Sequence, residues 1–166
     1  MVVQPLAPWR SAVARSLHLN RAKPHARYFQ LATVTDTGEP RNRTVVFRGF
    51  VEKTNKIKII TDIRSEKVGQ IQHKPRGEIC WYFTQTREQF RLDGQLILIE
   101  DTHPEPQWQQ ERSQTWAVLS EAARLQFVSS DSEEIAHPPS NFCLLLLDPE
   151  RVYHLQLRVT PHERQL

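Results

Sequence analysis

Two cysteines and five glycines among 166 residues are few, and both scarcities exclude chemistry. Cys80 and Cys143 stand singly inside apolar segments with no CxxC spacing, which suits small buried hydrophobes better than ligands or a redox pair. The seven histidines show no i, i+4 pairing, so no structural or catalytic metal is expected. With so little glycine there is no Gly-rich phosphate loop and no GxGxxG, and GxSxG is also missing. No apolar run approaches the about 18 residues of a membrane span, and residues 1–8 lack a charged head followed by an apolar core. A cytoplasmic protein without membrane contact is the expectation. Basic tracts interleaved with aromatics are absent too. The 22 Lys and Arg against 19 Asp and Glu make a mixed surface of net charge +3, and a nucleic-acid partner is not expected.

What is present points to β structure. Eleven prolines and 39% hydrophobic residues, many β-branched and in short runs, suit one domain over residues 1–166 with strands closed by turns. Residues 8–22 carry an approximate helical stripe of Trp9, Val13 and Leu17, ended by Pro24. Strands are expected at 28–35 and 42–51 around Asp36-Thr37-Gly38, then at 78–83 and 89–100, with Gly94 marking a bend or bulge. Residues 107–127 are mostly helical with a restart at Ser120. Residues 129–140 form a polar loop, and strands at 142–147 and 151–157 meet at Asp148-Pro149. Strands outnumber helices with no repeated strand-helix alternation, so the expected fold is mainly β with peripheral helices, closed as an antiparallel barrel.

The stretch 43–67 organises the rest. Val45, Val46 and Phe47 and then Ile57, Ile59 and Ile60 predict a hairpin turning at Thr54-Asn55. After it, Ser65 stands where an N-cap belongs, before a short helix at 66–72. A helix start offers free backbone N–H groups and a positive dipole end, so Ser65 with Lys67 suits a phosphate, and Arg43 could reach the same anion. The same spacing equally suits an ordinary cap with a solvated basic rim. Arg43 and Arg48 fall on opposite faces of a regular strand, so one phosphate is not assigned to both.

Three motifs carry a resemblance: Arg-Thr-Val-Val-Phe-Arg-Gly at 43–49, Thr-Asp-Ile-Arg-Ser-Glu-Lys at 61–67 and Arg-Glu-Gln-Phe-Arg-Leu-Asp-Gly at 87–94. In this order and spacing, over nearly the whole chain, the sequence resembles the pyridoxamine 5'-phosphate oxidase family, and most closely its oxidase-related FMN-binding branch. The resemblance implies an FMN-binding split barrel, a homodimer with FMN at the interface, and flavin-dependent oxidation of a substrate that the sequence leaves unassigned, a small phosphorylated molecule being one candidate. It implies that Arg43, Thr44, Val45, Val46 and Arg48 line the flavin, that Ile60 and Thr61 flank it, and that Ser65 and Lys67 join Arg43 at its phosphate. Gln89, which by itself suits a plain surface position on a strand, matches a glutamine that contacts the flavin across the subunit interface. Arg164 matches a retained C-terminal arginine, and Arg48 and His162 match substrate contacts.

The departures fall on the substrate side. Thr160-Pro161-His162 keeps a histidine and lacks the arginine before it, His154 stands where an aromatic residue packs by the flavin, and Glu66 replaces a basic residue beside Lys67. In the helical region Trp116 falls near an arginine and Ser120 near a serine that hold substrate in the oxidase. The family's final strand, with its aromatic residues, is expected to be missing after Leu166. A non-catalytic module that stores or senses FMN is therefore the alternative expectation.

Overall fold

The computed structural model describes residues 5–128, 136–159 and 163–165. Its chain order begins with α1 (Trp9–Leu19) and a 3-10 turn (Pro24–Arg27), followed by β1 (Tyr28–Val34), β2 (Pro40–Val46), β3 (Ile57–Asp62) and α2 (Glu66–His73). Then come β4 (Arg76–Phe83), β5 (Glu88–Ile99), α3 (Pro106–Ala117), α4 (Glu121–Arg124), β6 (Phe142–Gln156) and β7 (Glu163–Gln165). Every strand pairing is antiparallel, and the sheet runs β2-β1-β4-β5-β6-β3 with β7 added on β6. The fold is the expected mainly-β split barrel with peripheral helices.

Strict alternation builds it. In β4, Ile79, Trp81 and Phe83 point inward, and in β5 so do Phe90, Leu92 and Leu96, while Tyr82, Arg91 and Gln95 point out. Trp81 is the hub of an aromatic column, 4.9 Å from both the Phe29 and Phe47 rings and 5.1 Å from that of Phe83. Its indole N–H donates to the Ala26 carbonyl at 2.8 Å, which satisfies the one polar atom that the ring buries. This parity turns Cys80 to the half-exposed outer face, whereas Cys143 is wholly buried as expected. Among the described residues no helix is long and apolar enough to cross a membrane.

Three local expectations are corrected. The hairpin expected over 43–60 is present only next to its turn, at residues 48–58: β2 itself pairs with β1 and β3 with β6, so the two strands end the sheet path on opposite sides. Their connection is tied across by Arg48 N–H to Lys58 O at 2.9 Å, Lys58 N–H to Gly49 O at 2.8 Å, Val51 N–H to Lys56 O at 3.0 Å and a bridge between Phe50 and Ile57. Gly49, at φ +104°, makes the turn that brings these groups together. Second, the strand expected to run to residue 51 ends at Val46. Third, β6 is continuous through Asp148-Pro149. Pro149 pairs with Gly94 at a bulge that leaves Glu150 out of register, and a proline without an N–H is tolerated there. The bulge expected at Gly94 and the second helical cap at Ser120, whose hydroxyl accepts from Ala123 N–H, are both present. Of the loop expected at 129–140, residues 129–135 lie outside the described residues.

Candidate functional site

The seam where β2 and β3 face each other without pairing encloses a cavity of ≈350 Å³. From β2 and the turn after it come Thr44, Val45, Val46 and Arg48, and from β3 come Ile60, Thr61 and Asp62. The start of α2 adds Ser65 and Lys67, and the segment after α4 adds Gln126 and Phe127. Of the sequence-predicted residues of both strands and the helix start, all but Arg43 are thus brought to one place by barrel closure.

At the helix end, Lys67 Nζ donates to Thr61 Oγ1 at 2.9 Å and to Ser65 Oγ at 2.7 Å. Ser65 occupies the N-cap of α2 but makes no side-chain capping bond; its hydroxyl holds the lysine instead. Burial first, and then the charge of Arg43, push the Lys67 ammonium below its ordinary value. A cation held by neutral hydroxyls and crowded by a second cation favours an anionic ligand. Arg43 does not line the cavity. It is anchored behind it, donating to Leu31 O at 3.1 Å, Thr33 Oγ1 at 2.7 Å and Gln70 Oε1 at 3.1 Å, and it acts on the site through its charge.

Asp62 was not foreseen. It would oppose an anion, but Arg64 neutralises it with side-chain bonds at 2.9 and 2.7 Å. Those bonds, with others from the Arg64 backbone and Asn141, hold the Asp62 carboxyl well below the usual range. The aromatic wall was also missed. Phe127 packs edge-on against Phe142 at 5.1 Å and Trp116 at 6.0 Å, so Trp116 is buried behind the Phe127 wall. Only the aromatic spacing around 116–127 could have signalled this wall, since its members meet through tertiary packing.

Arg48 closes the cavity. It is half-buried, its Nε is buried without a hydrogen-bond partner among the described residues, and burial followed by the nearby Arg27 charge lowers its pKa. Gln89 lies on β5 and is not among the cavity-lining residues. It projects on the sheet's outer face opposite Leu155 and Tyr82. His154, the departure from the family's aromatic residue, is turned the other way, buried and stacked on Phe90 at 4.1 Å, and it is not among the cavity-lining residues. Arg164 pairs through its backbone with Leu155 in β7, and His162 lies outside the described residues.

The arrangement has a cationic, hydroxyl-rich end beside a helix start, walls of Val45, Val46, Ile60 and Phe127, and an unspent guanidinium donor. It fits a phosphate-tailed planar ligand such as FMN. Comparison with known proteins agrees. Residues 6–100 match the family described as pyridoxamine 5'-phosphate oxidase, FMN-binding domain. The Arabidopsis thaliana pyridoxine/pyridoxamine 5'-phosphate oxidase 2 is 38% identical over 168 residues, covering 92% of this chain and 85% of that protein. The crystal structure of a pyridoxamine 5'-phosphate oxidase-related, FMN-binding protein from Nostoc punctiforme superposes with a TM-score of 0.92 at 49% identity, covering 97% of this chain and 91% of that one. A heme-binding protein from Mycobacterium smegmatis shares the fold alone, with a TM-score of 0.56 at 17% identity over 92% of this chain and 57% of that one.

Proposed function

Since the chain belongs to the pyridoxamine 5'-phosphate oxidase FMN-binding domain family, we propose that it holds FMN in the seam cavity and acts as a flavin-dependent oxidoreductase on a small phosphorylated substrate. The observation that carries this reading is Lys67, held by Thr61 and Ser65 with Arg43 behind it, at one end of a slot walled in part by Val45, Val46, Ile60 and Phe127. Lys67, Thr61 and Ser65 at the start of α2 would hold the phosphate, and Val45, Val46 and Ile60 would hold the ring. FMN, when bound, supplies hydride acceptance from an amine or alcohol carbon and reoxidation by dioxygen to hydrogen peroxide. The protein's part is placement and charge. Arg48, half-buried beside the ring slot, stabilises negative charge developing there.

The reading includes a homodimer. Across the sheet's outer face Tyr28, Tyr82 and Tyr153 are 47%, 40% and 37% exposed, in register with Val46, Gln89 and Arg91 respectively. An outer face that joins the wall of the ring slot to Gln89 supports a second copy docking there and offering its own Gln89 to this copy's flavin. FMN storage without turnover is the second reading. It is favoured by Trp116, which is buried in an aromatic wall where the oxidases hold substrate with an arginine.

The test is titration of the apoprotein with FMN, riboflavin and heme, followed by peroxide detection with pyridoxamine 5'-phosphate. Tight, FMN-selective binding with peroxide release is the expected result. FMN binding without peroxide across a panel of phosphorylated amines selects storage, and a preference for heme rejects both readings.

A further inference from the structure

The first 35 residues contain no Asp or Glu and five Lys and Arg, so they carry +5 of a chain whose net charge is +3, and the other residues together carry −2. Such asymmetry within one chain points to an anionic partner for its basic part. Two of the five cations are already engaged. Arg10 bonds to the Thr54 carbonyl and lies 3.6 Å over the Phe50 ring, and Arg15 pairs with the buried Glu88 at 2.7 Å. The remaining three, Arg21, Lys23 and Arg27, line one cleft of ≈430 Å³ together with His18. No carboxylate lines that cleft, and among the described residues none of its four basic side chains has an acidic partner, whereas the exposed Arg41, Arg64, Arg91 and Arg151 each have one.

The cations are held in place. Arg21 folds back over the last turn of α1, its Nη1 donating to His18 O at 2.7 Å and lying 3.3 Å from His18 Nε2. Lys23 and Arg27 stand at the two ends of the 3-10 turn, which Pro24 stiffens and the Ala26 N–H to Lys23 O bond at 3.0 Å closes. A cation beside a helix C-terminus is ordinary, and that alone accounts for His18 and Arg21. It does not account for Lys23 and Arg27, which lie past the helix end. The helix carbonyls do not use up the charge either, since Ser16 O accepts from the backbone and side-chain N–H groups of Asn20 at 2.9 and 2.8 Å. Between the cations, Leu17, Pro24 and Ala26 give the cleft an apolar lining.

We propose that this cleft binds a small molecule bearing linked phosphates, a diphosphate ester whose anionic end meets Arg21, Lys23 and Arg27 and whose organic part rests on Leu17 and Pro24. Three fixed positive charges match a diphosphate, with about three negative charges at neutral pH, better than a single phosphate with about two. A concave space of ≈430 Å³ suits a compact ligand and not the extended groove that tracks a nucleic-acid strand. The site shares no lining residue with the seam cavity, and it stands whether or not that cavity holds FMN.

The test is calorimetric titration of the full-length chain, with equimolar FMN present to occupy Lys67, using inorganic pyrophosphate and, separately, orthophosphate. Saturable pyrophosphate binding, about tenfold tighter than orthophosphate, is expected. Lys23→Gln, at an exposed position past the helix, should weaken it about threefold to fivefold, and Lys23→Glu further, with FMN affinity unchanged. Arg21→Gln should act in the same direction. The same titrations in Lys67→Ala separate the two sites: unchanged pyrophosphate affinity there keeps the cleft even should the chain take up no FMN. No saturable pyrophosphate binding, equal affinity for the two anions, or losses confined to Lys67→Ala would overturn the proposal. Tighter binding of a short DNA duplex, lost in Lys23→Glu, would make this face a nucleic-acid contact and overturn it as well.

Discussion

Lys67 is held by hydroxyls, and the difference from a salt bridge matters. A lysine paired to a carboxylate has spent its charge, whereas one bonded to Thr61 and Ser65 keeps a full positive charge for a ligand. Lys67→Ala should therefore weaken FMN binding by roughly 1.5–3 kcal/mol and riboflavin binding little, read by quenching of flavin fluorescence; equal losses would move the phosphate elsewhere. Arg43→Ala is the less clean variant, because Arg43 also ties Leu31, Thr33 and Gln70 together, so its loss should lower stability as well as affinity. The pH dependence follows from the lysine. Burial and Arg43 lower its pKa from 10.5, and the phosphate favours the protonated form. FMN affinity should thus decline on the alkaline side, beginning below pH 10.5, and Lys67→Arg should move the decline upward. A flat alkaline limb would show that the ammonium does not meet the phosphate. Residues of this kind were legible in the sequence because a strand end, a cap and the first helical turn are local. His154 was not, since a shift of one residue in strand parity sends a side chain to the opposite face. Its actual position has its own consequence. Burial lowers the His154 pKa from 6.5 despite the nearby Glu88 carboxylate. Between the two values the unfolded chain binds a proton that the folded chain refuses, so His154's share of stability is complete above about pH 6.5 and decays as pH falls toward the folded value. Urea midpoints across pH 5–7 should slope upward with pH, and His154→Gln should flatten the slope.

At the scale of elements, β2 and β3 illustrate what pattern alone conceals. Both carry β-branched residues and both were recognised as strands, yet alternation says nothing about which strand pairs with which. Their connection, residues 47–56, is longer than the about 2–5 residues of a hairpin loop, and that length was the available sign that they part company. The misassignment did not displace the site, because barrel closure returns the two strand ends to each other across the seam. The β5–β6 bulge shapes that closure. Gly94 sits where an added Cβ would collide with the Asp148 carbonyl oxygen and stand 2.8 Å from its carbon, and backbone there cannot yield as a side chain could. Gly94→Ala should cost about 1–3 kcal/mol, toward the upper end, measured as a lowered urea midpoint with unchanged slope. Gly38→Ala has open space around it but loses a φ of +90°, so a smaller cost there separates backbone conformation from collision.

For the whole molecule, the decisive property is that over β1, β4 and the start of β5 the sheet has one face in the core and another partly exposed. Inward positions hold Phe29, Trp81 and Phe90; outward positions hold three half-exposed tyrosines, Gln89, Arg91 and the strand that walls the ring slot. The inward set was legible from alternation in the sequence. The assembly of the outward set was not, because its members come from five strands that become neighbours only once the register is set. If this face binds a second copy, a charge at its middle must be desolvated without a partner. Tyr82 is the place to put one: it lies opposite Gln89 in register, and its ring is 40% exposed, so the barrel beneath should tolerate Tyr82→Glu. The variant should elute at monomer mass by light scattering where the parent elutes as a dimer, with unfolding by urea little changed. It should also lose FMN affinity, because Gln89 from the second copy goes with the interface, and Gln89→Ala should weaken FMN in a chain that remains dimeric. A parent that is already monomeric while binding FMN tightly would remove both the dimer and the role of Gln89, leaving the seam cavity to hold the flavin alone.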